Sequence, residues 1–182
     1  ALYMSQATAL LEYAIQKEGT DFSDILPALD AALRSLMSHR DFLTLCLVEW
    51  DEAGRFRLAR AGHPAPLLVR GAHEAEVEEL AIHGRGLGLR PSGANDWEIH
   101  EGVLEPGQWL ALYSDGLTEG MDRHGELFGV ARLRRELQHF WATGSVRAAC
   151  EAVFREVASF NEQNRDDRTL FILGRNPHEP IR

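Results

Sequence analysis

The sequence predicts an α+β domain with helices at both ends of a run of antiparallel strands. Apolar residues recur at helical spacing over residues 2–17 and again over 145–160. Between these ends, short apolar or alternating segments of strand length are separated by turns rich in glycine, aspartate and proline. The chain has 182 residues, which is enough for one domain with its own hydrophobic core.

Composition excludes several classes of protein. The net charge of −9 argues against a nucleic-acid-binding protein, because phosphate backbones attract basic surfaces. No apolar run is long enough to span a bilayer, and the N-terminus lacks the features of a signal peptide. We therefore expect a cytoplasmic protein whose two cysteines, Cys46 and Cys150, are buried thiols without a disulfide.

Two helices are predicted at the N-terminal end. The first covers residues 2–17, with Gly19 as its C-cap, and the second covers 22–37, with Asp21 or Ser23 as its N-cap. The inward positions predicted for the first helix are Leu2, Ala9, Leu10, Tyr13 and Ala14. Those predicted for the second are Ile25, Leu26, Leu29, Leu33 and Leu36.

The middle of the chain reads as strands, and helices return near its end. The predicted strands cover 42–50, 55–60, 65–70, 73–80, 97–104 and a run from Trp109, with 73–80 at a sheet edge. Residues 84–93 form a glycine-rich loop. Two helices follow over 128–141 and 145–160, the first with an inward face of Val130, Leu133, Leu137 and Phe140 and the second capped by Ser145. The last strand begins at Thr169, and residues 176–182 form a tail.

The first candidate functional residue is Asp115. It follows the apolar run from Trp109 to Tyr113, so a buried strand would hold its carboxylate at the edge of a sheet. Metal ligands and catalytic carboxylates are often placed in this way. An ordinary Asp-Gly turn formed with Gly116 is the alternative interpretation.

A second acidic position precedes the last strand. Asp166 and Asp167 are adjacent carboxylates that repel each other and are costly to bury without a cation. If the two strands are neighbours, Asp115 and Asp166 converge on one cation, and oxygen ligands without histidine favour Mg²⁺ or Mn²⁺. Adjacent side chains of a strand point to opposite sides, so only one of the two acids is expected to face that cation.

These two acidic segments resemble a known family. Residues 112–119 (Leu-Tyr-Ser-Asp-Gly-Leu-Thr-Glu) and 165–170 (Arg-Asp-Asp-Arg-Thr-Leu) are similar to motifs of the metal-dependent type 2C protein phosphatases, the PPM family. The likeness is to their bacterial SpoIIE-like branch of serine phosphatases. Residues 41–51 and 61–70 also resemble segments of that family, as do 86–89 and 126–129 more loosely, so the resemblance covers nearly the whole chain.

The resemblance implies a fold and a metal site. The fold would be an α-β-β-α arrangement, an antiparallel β-sandwich of two sheets flanked by helices. Two Mn²⁺ or Mg²⁺ ions would activate a water, and no side chain would act as the nucleophile. By motif position Asp115 and Asp166 are metal ligands, Asp167 binds an extra metal or supports the site, and Gly116 lets the turn backbone approach closely.

The resemblance also implies partners. The substrate would be a phosphorylated anti-anti-sigma protein of the STAS type, through which the enzyme controls a sigma factor. An N-terminal sensor or receiver domain and a homodimer are further expectations. The family has a Gly-Asp-Val-x-Gly-His-Gly motif before a helix like 2–17, and this chain lacks it. We thus expect residues 1–175 to be an N-terminally incomplete phosphatase domain lacking its first strands. The alternative is a degenerate phosphatase fold that binds a regulatory partner without catalysis.

Three other sequence features are ambiguous. His63 lies in a family motif, but Gly-His-Pro at the end of a strand is also a natural turn, which is the interpretation we favour. The run 84–88 lacks the Lys-Ser/Thr and the following helix of a phosphate-binding loop, although Arg85 within it is a weaker candidate for contacting a substrate phosphate. Residues 117–120 and the helix starting near Phe128 are expected to border the substrate cleft.

Overall fold

The computed structural model describes residues 2–16, 21–38, 41–71, 74–93, 95–142, 145–160 and 167–175. The helices are α1 Leu2–Gln16, α2 Phe22–Leu36, α3 Gly129–Trp141 and α4 Val146–Phe160, with a short 3₁₀ turn over Asp115–Leu117. The strands are β1 Leu45–Trp50, β2 Arg55–Ala61, β3 Leu67–Arg70, β4 Glu76–Glu79, β5 Ile99–Val103, β6 Trp109–Tyr113 and β7 Leu170–Gly174. The predicted α+β class is confirmed: the described residues form four α-helices and two antiparallel sheets.

The chain divides into two compact units, and each contains all or most of one sheet. The first unit consists of Ala1–Trp50, Phe56–His63 and Ile82–Gly102. The second consists of Asp51–Arg55, Pro64–Ala81 and Val103–Arg182. Within the part of the chain that the structure describes, no helix is long and apolar enough to cross a membrane.

In the first unit, the sheet has the strand order β1-β2-β5. Strands β1 and β2 pair antiparallel from Leu45 opposite Ala61 to Trp50 opposite Phe56. The buried core residues come from both helices, the sheet and the loops: Ala7, Leu26, Leu29, Leu33, Leu43, Ala59, Ala61 and Leu87.

Three inward positions predicted for the helices of this unit are wrong: Ala9, Tyr13 and Leu36. Ala9 is exposed and Tyr13 is 71% exposed, and among the described side chains of α1 the buried one is the small Ala7. Leu36 is 46% exposed because it is the last residue of α2, after which Met37 leaves the helix in an extended conformation. Helical periodicity identified the buried face of α2 but not the point at which that face ends.

The start of α2 is fixed by Asp21. Its side chain accepts a hydrogen bond from Ser23 N at 2.9 Å, so of the two predicted caps Asp21 is the one that the structure uses. Arg57 of β2 donates to both oxygens of the same carboxylate at 2.9 and 3.2 Å. These bonds hold the pKa of Asp21 well below its usual range. The cap therefore also ties α2 to the sheet. Gly19, the C-cap predicted for α1, lies outside the described residues.

A buried ion cluster joins α2 to the glycine-rich loop. Asp30 of α2 is fully buried, and Arg85 donates to both of its oxygens at 3.0 and 3.1 Å. Gly88 N donates to the same carboxylate at 2.8 Å. Arg85 also donates through Nε to Asp96 at 2.8 Å, and its guanidinium lies 4.5 Å from the centre of the Trp97 ring.

This cluster gives Arg85 a structural role. Its side chain is only 11% exposed, and the bonds to Asp30, together with those to Asp96, raise the pKa of its guanidinium further. An arginine held by two carboxylates would leave a buried charge unpaired if it turned to a substrate phosphate. The weaker interpretation, in which Arg85 contacts a phosphate, is therefore not supported.

In the second unit, the sheet has the strand order β4-β3-β6-β7, and neighbouring strands are antiparallel. Strand β4 lies at an edge, as predicted. Helices α3 and α4 supply much of the core of this unit. Leu133 and Leu137 of α3 are fully buried, while Val130 and Phe140 pack against the core more peripherally, in agreement with the predicted inward face.

Ser145 lies at the start of α4, and neither cysteine forms a disulfide. Ser145 Oγ accepts a hydrogen bond from Ala148 N at 3.2 Å, which supports the predicted cap of α4. Cys46 and Cys150 are both free thiols but only half-buried. Even so, burial raises the pKa of Cys46 to about 12, so its reactive thiolate form is suppressed at neutral pH.

Candidate metal centre

The end of strand β6 positions Asp115. Trp109 and Tyr113 of this strand are 3% and 5% exposed, and Leu117 in the following 3₁₀ turn is fully buried. The turn is therefore anchored in the core on both sides of Asp115. The Asp115 side chain itself is exposed to solvent. A rigid backbone thus presents a carboxylate at the end of the sheet where β6 terminates, as the sequence predicted.

Hydrogen bonds within the turn fix the orientation of Asp115. Its backbone carbonyl accepts bonds from Thr118 N and Glu119 N, both at 2.8 Å. Its Oδ1 atom accepts a bond from Gly116 N at 2.9 Å. Gly116 itself is buried, and its role in letting the turn backbone approach closely stays a prediction. The carboxylate is held at one oxygen and faces solvent.

Strand β7 brings the second acidic segment to the same end of the sheet, next to the turn after β6. It pairs antiparallel with β6 from Trp109 opposite Gly174 to Tyr113 opposite Leu170. Ser114, directly before Asp115, then clamps the residues that precede β7. Its N donates to Thr169 O at 3.0 Å, its Oγ accepts from Thr169 N at 2.9 Å, and its Oγ donates to Asp167 O at 2.9 Å. The expected neighbourhood of the two acidic segments is therefore present.

The acidic pair itself is only partly described. Asp167 is exposed, and Asp166 lies outside the described residues. Strand β7 begins at Leu170, one residue later than predicted, so both acids precede the strand. Because Asp166 is not among the described residues, the expectation that only one of the two acids faces the cation stays a prediction. The assignment of Asp166 as the ligand rests on its motif position alone.

The donor chemistry at this edge fits a hard divalent cation. The acidic side chains described here, Asp115 and Asp167, offer only oxygen, and Mg²⁺ and Mn²⁺ prefer oxygen ligands. In the described ranges, which omit Asp166, no group of three or more His, Cys, Asp or Glu side chains is arranged to hold a metal ion. The acids at this end of the sheet therefore do not form a metal-binding group among the described residues alone.

The segment after the turn folds back onto it. Gly129 N donates to Thr118 O and Phe128 N donates to Gly120 O, both at 2.8 Å. The start of α3 is therefore bonded to the residues that follow Asp115, and that these residues border a substrate cleft stays a prediction.

The Gly-His-Pro segment directly follows β2. Gly62 follows β2 with a φ of 64°, and its N donates to Gly84 O at 2.8 Å. A Cβ atom at Gly62 would lie 2.9 Å from Gly86 Cα, so the backbones approach too closely for a side chain. This close approach explains the glycine at position 62, and the interpretation of His63 as part of a turn stays a prediction. The His63 ring lies 3.5 Å from Thr44 Oγ1.

Both the sequence and the fold of the chain match known proteins. The sequence matches the family of Stage II sporulation protein E (SpoIIE) over residues 1–176. Among solved structures, the SiaA-PP2C domain of Pseudomonas aeruginosa has 28% identity and a TM-score of 0.74, with 96% of this chain and 68% of that chain covered. The RsbU and RsbW domains of a Mycobacterium tuberculosis protein have 27% identity and a TM-score of 0.75, with 99% of this chain covered.

A more distant match shows the fold alone. The phosphatase domain of Bacillus subtilis SpoIIE, presoaked with Mn, has 18% identity and a TM-score of 0.58, with 98% of this chain and 75% of that chain covered. The present chain spans 49% of the RsbU and RsbW structure. Each of the three matches covers at least 96% of this chain, so each includes residues of both compact units.

Proposed function

The chain belongs to the SpoIIE family and has a PP2C-type phosphatase fold, and from this premise we propose that it is a metal-dependent protein phosphatase acting on phosphoserine or phosphothreonine. The observation that carries the proposal is the placement of Asp115. It lies on a core-anchored turn at the end of β6, bonded through Ser114 to the segment that contains Asp167. An exposed acid on so rigid a support is suited to binding a cation.

Each candidate residue would have its own role in binding the metal ions. Asp115 and Asp166 would bind the Mn²⁺ or Mg²⁺ ions, Asp167 would bind an outer ion or support the site, and Gly116 fixes the Asp115 carboxylate through its N–H. Two such ions, when bound, would supply positive charge that lowers the pKa of a bound water and neutralises phosphoryl oxygens. The side chains therefore hold charge in place, and none is needed as a nucleophile.

We propose a phosphorylated anti-anti-sigma protein of the STAS type as the substrate. Two matches support this class of regulation: the RsbU and RsbW domains at 27% identity and the SpoIIE family itself. Residues 1–175 would act as the phosphatase domain in the cytoplasm, with a sensor or receiver domain as partner and a homodimer as the assembly. The alternative is a phosphatase fold that binds a regulatory partner without turnover, and it predicts that phosphate is not released.

Metal binding at Asp115 can be tested through thermal stability. A ligand that binds only the folded state raises the melting temperature, so Mn²⁺ should stabilise the full-length protein. The Asp115→Asn variant should lose most of that gain, because an amide oxygen carries no net charge. Differential scanning calorimetry with and without Mn²⁺ measures the shift.

A matched control separates this site from general charge effects. Glu52→Gln removes an exposed acid from the turn between β1 and β2, and the Mn²⁺ shift should remain at its wild-type value. An undiminished shift in Asp115→Asn would count against the metal assignment.

A further inference from the structure

The chain between the Asp115 turn and α3 forms a small hairpin, residues 118–129, which we call the flanking hairpin. Met121 and Leu127 lie opposite each other in an antiparallel bridge. At the tip, Asp122 N donates to Glu126 O at 2.9 Å and Gly125 N donates to Asp122 O at 3.1 Å. The hairpin is thus closed by backbone bonds from its base to its tip.

Side chains make the flanking hairpin rigid. The Asp122 carboxylate accepts bonds from His124 N at 2.8 Å and Glu126 N at 2.9 Å, and the bond from Glu126 N is the main cause of a lowered pKa at Asp122. Arg132 of α3 donates to Leu127 O at 2.7 Å and Phe128 O at 2.8 Å. Phe128, at the end of the hairpin, is 1% exposed and anchors it in the core.

This braced element exposes two apolar side chains. Met121 is 56% exposed and Leu127 is 48% exposed. Residues opposite each other in an antiparallel pair project from the same face, so the hairpin presents both apolar side chains on one side. Their exposure is not the result of a loose loop, because backbone bonds flank the pair on both sides, from Phe128 N to Gly120 O and from Asp122 N to Glu126 O. Such a pair is suited to contact with another protein.

We propose that Met121 and Leu127 form a docking contact for the phosphoprotein substrate, a specificity element that rests on the proposed phosphatase function. The choice of occupant follows from continuity with the Asp115 turn. Thr118 N is bonded to Asp115 O, and Met121 lies only three residues beyond Thr118, at most about 10 Å along an extended chain. A standard interface buries about 800 Å² on each partner and is therefore roughly 30 Å across. A folded protein that delivers a phosphate to Asp115 would cover the flanking hairpin.

The contact predicts that a phosphoprotein and a small substrate respond differently. We would assay the full-length protein with Mn²⁺ on two probes, a phosphoserine STAS-type protein and p-nitrophenyl phosphate. Met121→Ser and Leu127→Ser should each lower kcat/KM for the phosphoprotein by about tenfold, mainly through KM, since each removes one apolar side chain from the interface. Hydrolysis of p-nitrophenyl phosphate should be unchanged, because it is too small to reach the hairpin.

Control variants distinguish a docking contact from a general effect of losing an exposed apolar side chain. Leu89→Ser removes an equally exposed leucine, 54% accessible, from the glycine-rich loop and should change neither activity. Met121→Leu and Leu127→Met keep the apolar surface and should retain near-wild-type kcat/KM. Unchanged phosphoprotein turnover in both serine variants would overturn the docking contact, as would equal losses on the two probes or an equal loss in Leu89→Ser. If the wild-type protein hydrolyses neither probe, the proposed function fails, and the docking contact fails with it.

Discussion

Asp166→Ala should lower kcat for Mn²⁺-dependent phosphoprotein hydrolysis far more than Asp167→Ala. Removing a direct metal ligand costs metal affinity and transition-state charge stabilisation together, so we expect a loss of more than about 100-fold for Asp166→Ala. A residue that supports the ligands costs less when removed, roughly 10- to 100-fold. Steady-state kinetics of the full-length protein would measure both effects, with KM changing less than kcat.

The structure makes Asp167→Ala a clean comparison. Ser114 binds this segment through the backbone carbonyl of Asp167, not through its carboxylate. Shortening the side chain therefore leaves the clamp between β6 and the acidic segment in place. Equal losses in the two variants, or a larger loss in Asp167→Ala, would reverse the assignment of Asp166 as the shared ligand.

Arg85→Met should destabilise the protein by about 3–5 kcal/mol, the cost of removing one partner from a buried ion pair. Asp30 has no exposed surface, and Arg85 supplies two of its hydrogen bonds. Methionine keeps the apolar stem but leaves the Asp30 carboxylate with the Gly88 N–H and a longer contact to Arg34, 3.6 Å away. Urea denaturation gives the free energy of unfolding of the variant and the wild type.

Arg90→Met is the matched control for this cluster. Arg90 pairs with Asp96 but is itself 58% exposed, so water can replace much of its interaction. Its loss of stability should be much smaller than that of Arg85→Met. If the two variants were equally stable, the buried bonds to Asp30 would not be a major source of stability.

Local sequence signals were sufficient for the elements that build the candidate site. The apolar run ending at Tyr113 and the acids before the last strand predicted two strands with polar ends, and the structure pairs them as β6 and β7. Their pairing was only a condition in the sequence argument. It became definite in the structure because Tyr113 lies opposite Leu170 and Ser114 bonds to the residues just before β7.

Other features depend on contacts between distant residues. Asp30 and Arg85 are 55 positions apart, and no local pattern marks a helix acid as the partner of an arginine in a glycine-rich loop. The flanking hairpin was also missed, because Met121 and Leu127 make one isolated bridge and not the alternating run that signals a strand. Tyr13 followed the helical period of α1, yet the structure leaves it exposed. Periodicity describes a face of a helix but not what covers it.

The most direct test of the central claim is phosphate release from a phosphoserine STAS-type protein by the full-length protein. The account predicts release that requires Mn²⁺ or Mg²⁺, is abolished by a chelator and is lost in the Asp115→Asn variant. Metal-independent release, or full activity in Asp115→Asn, would contradict it.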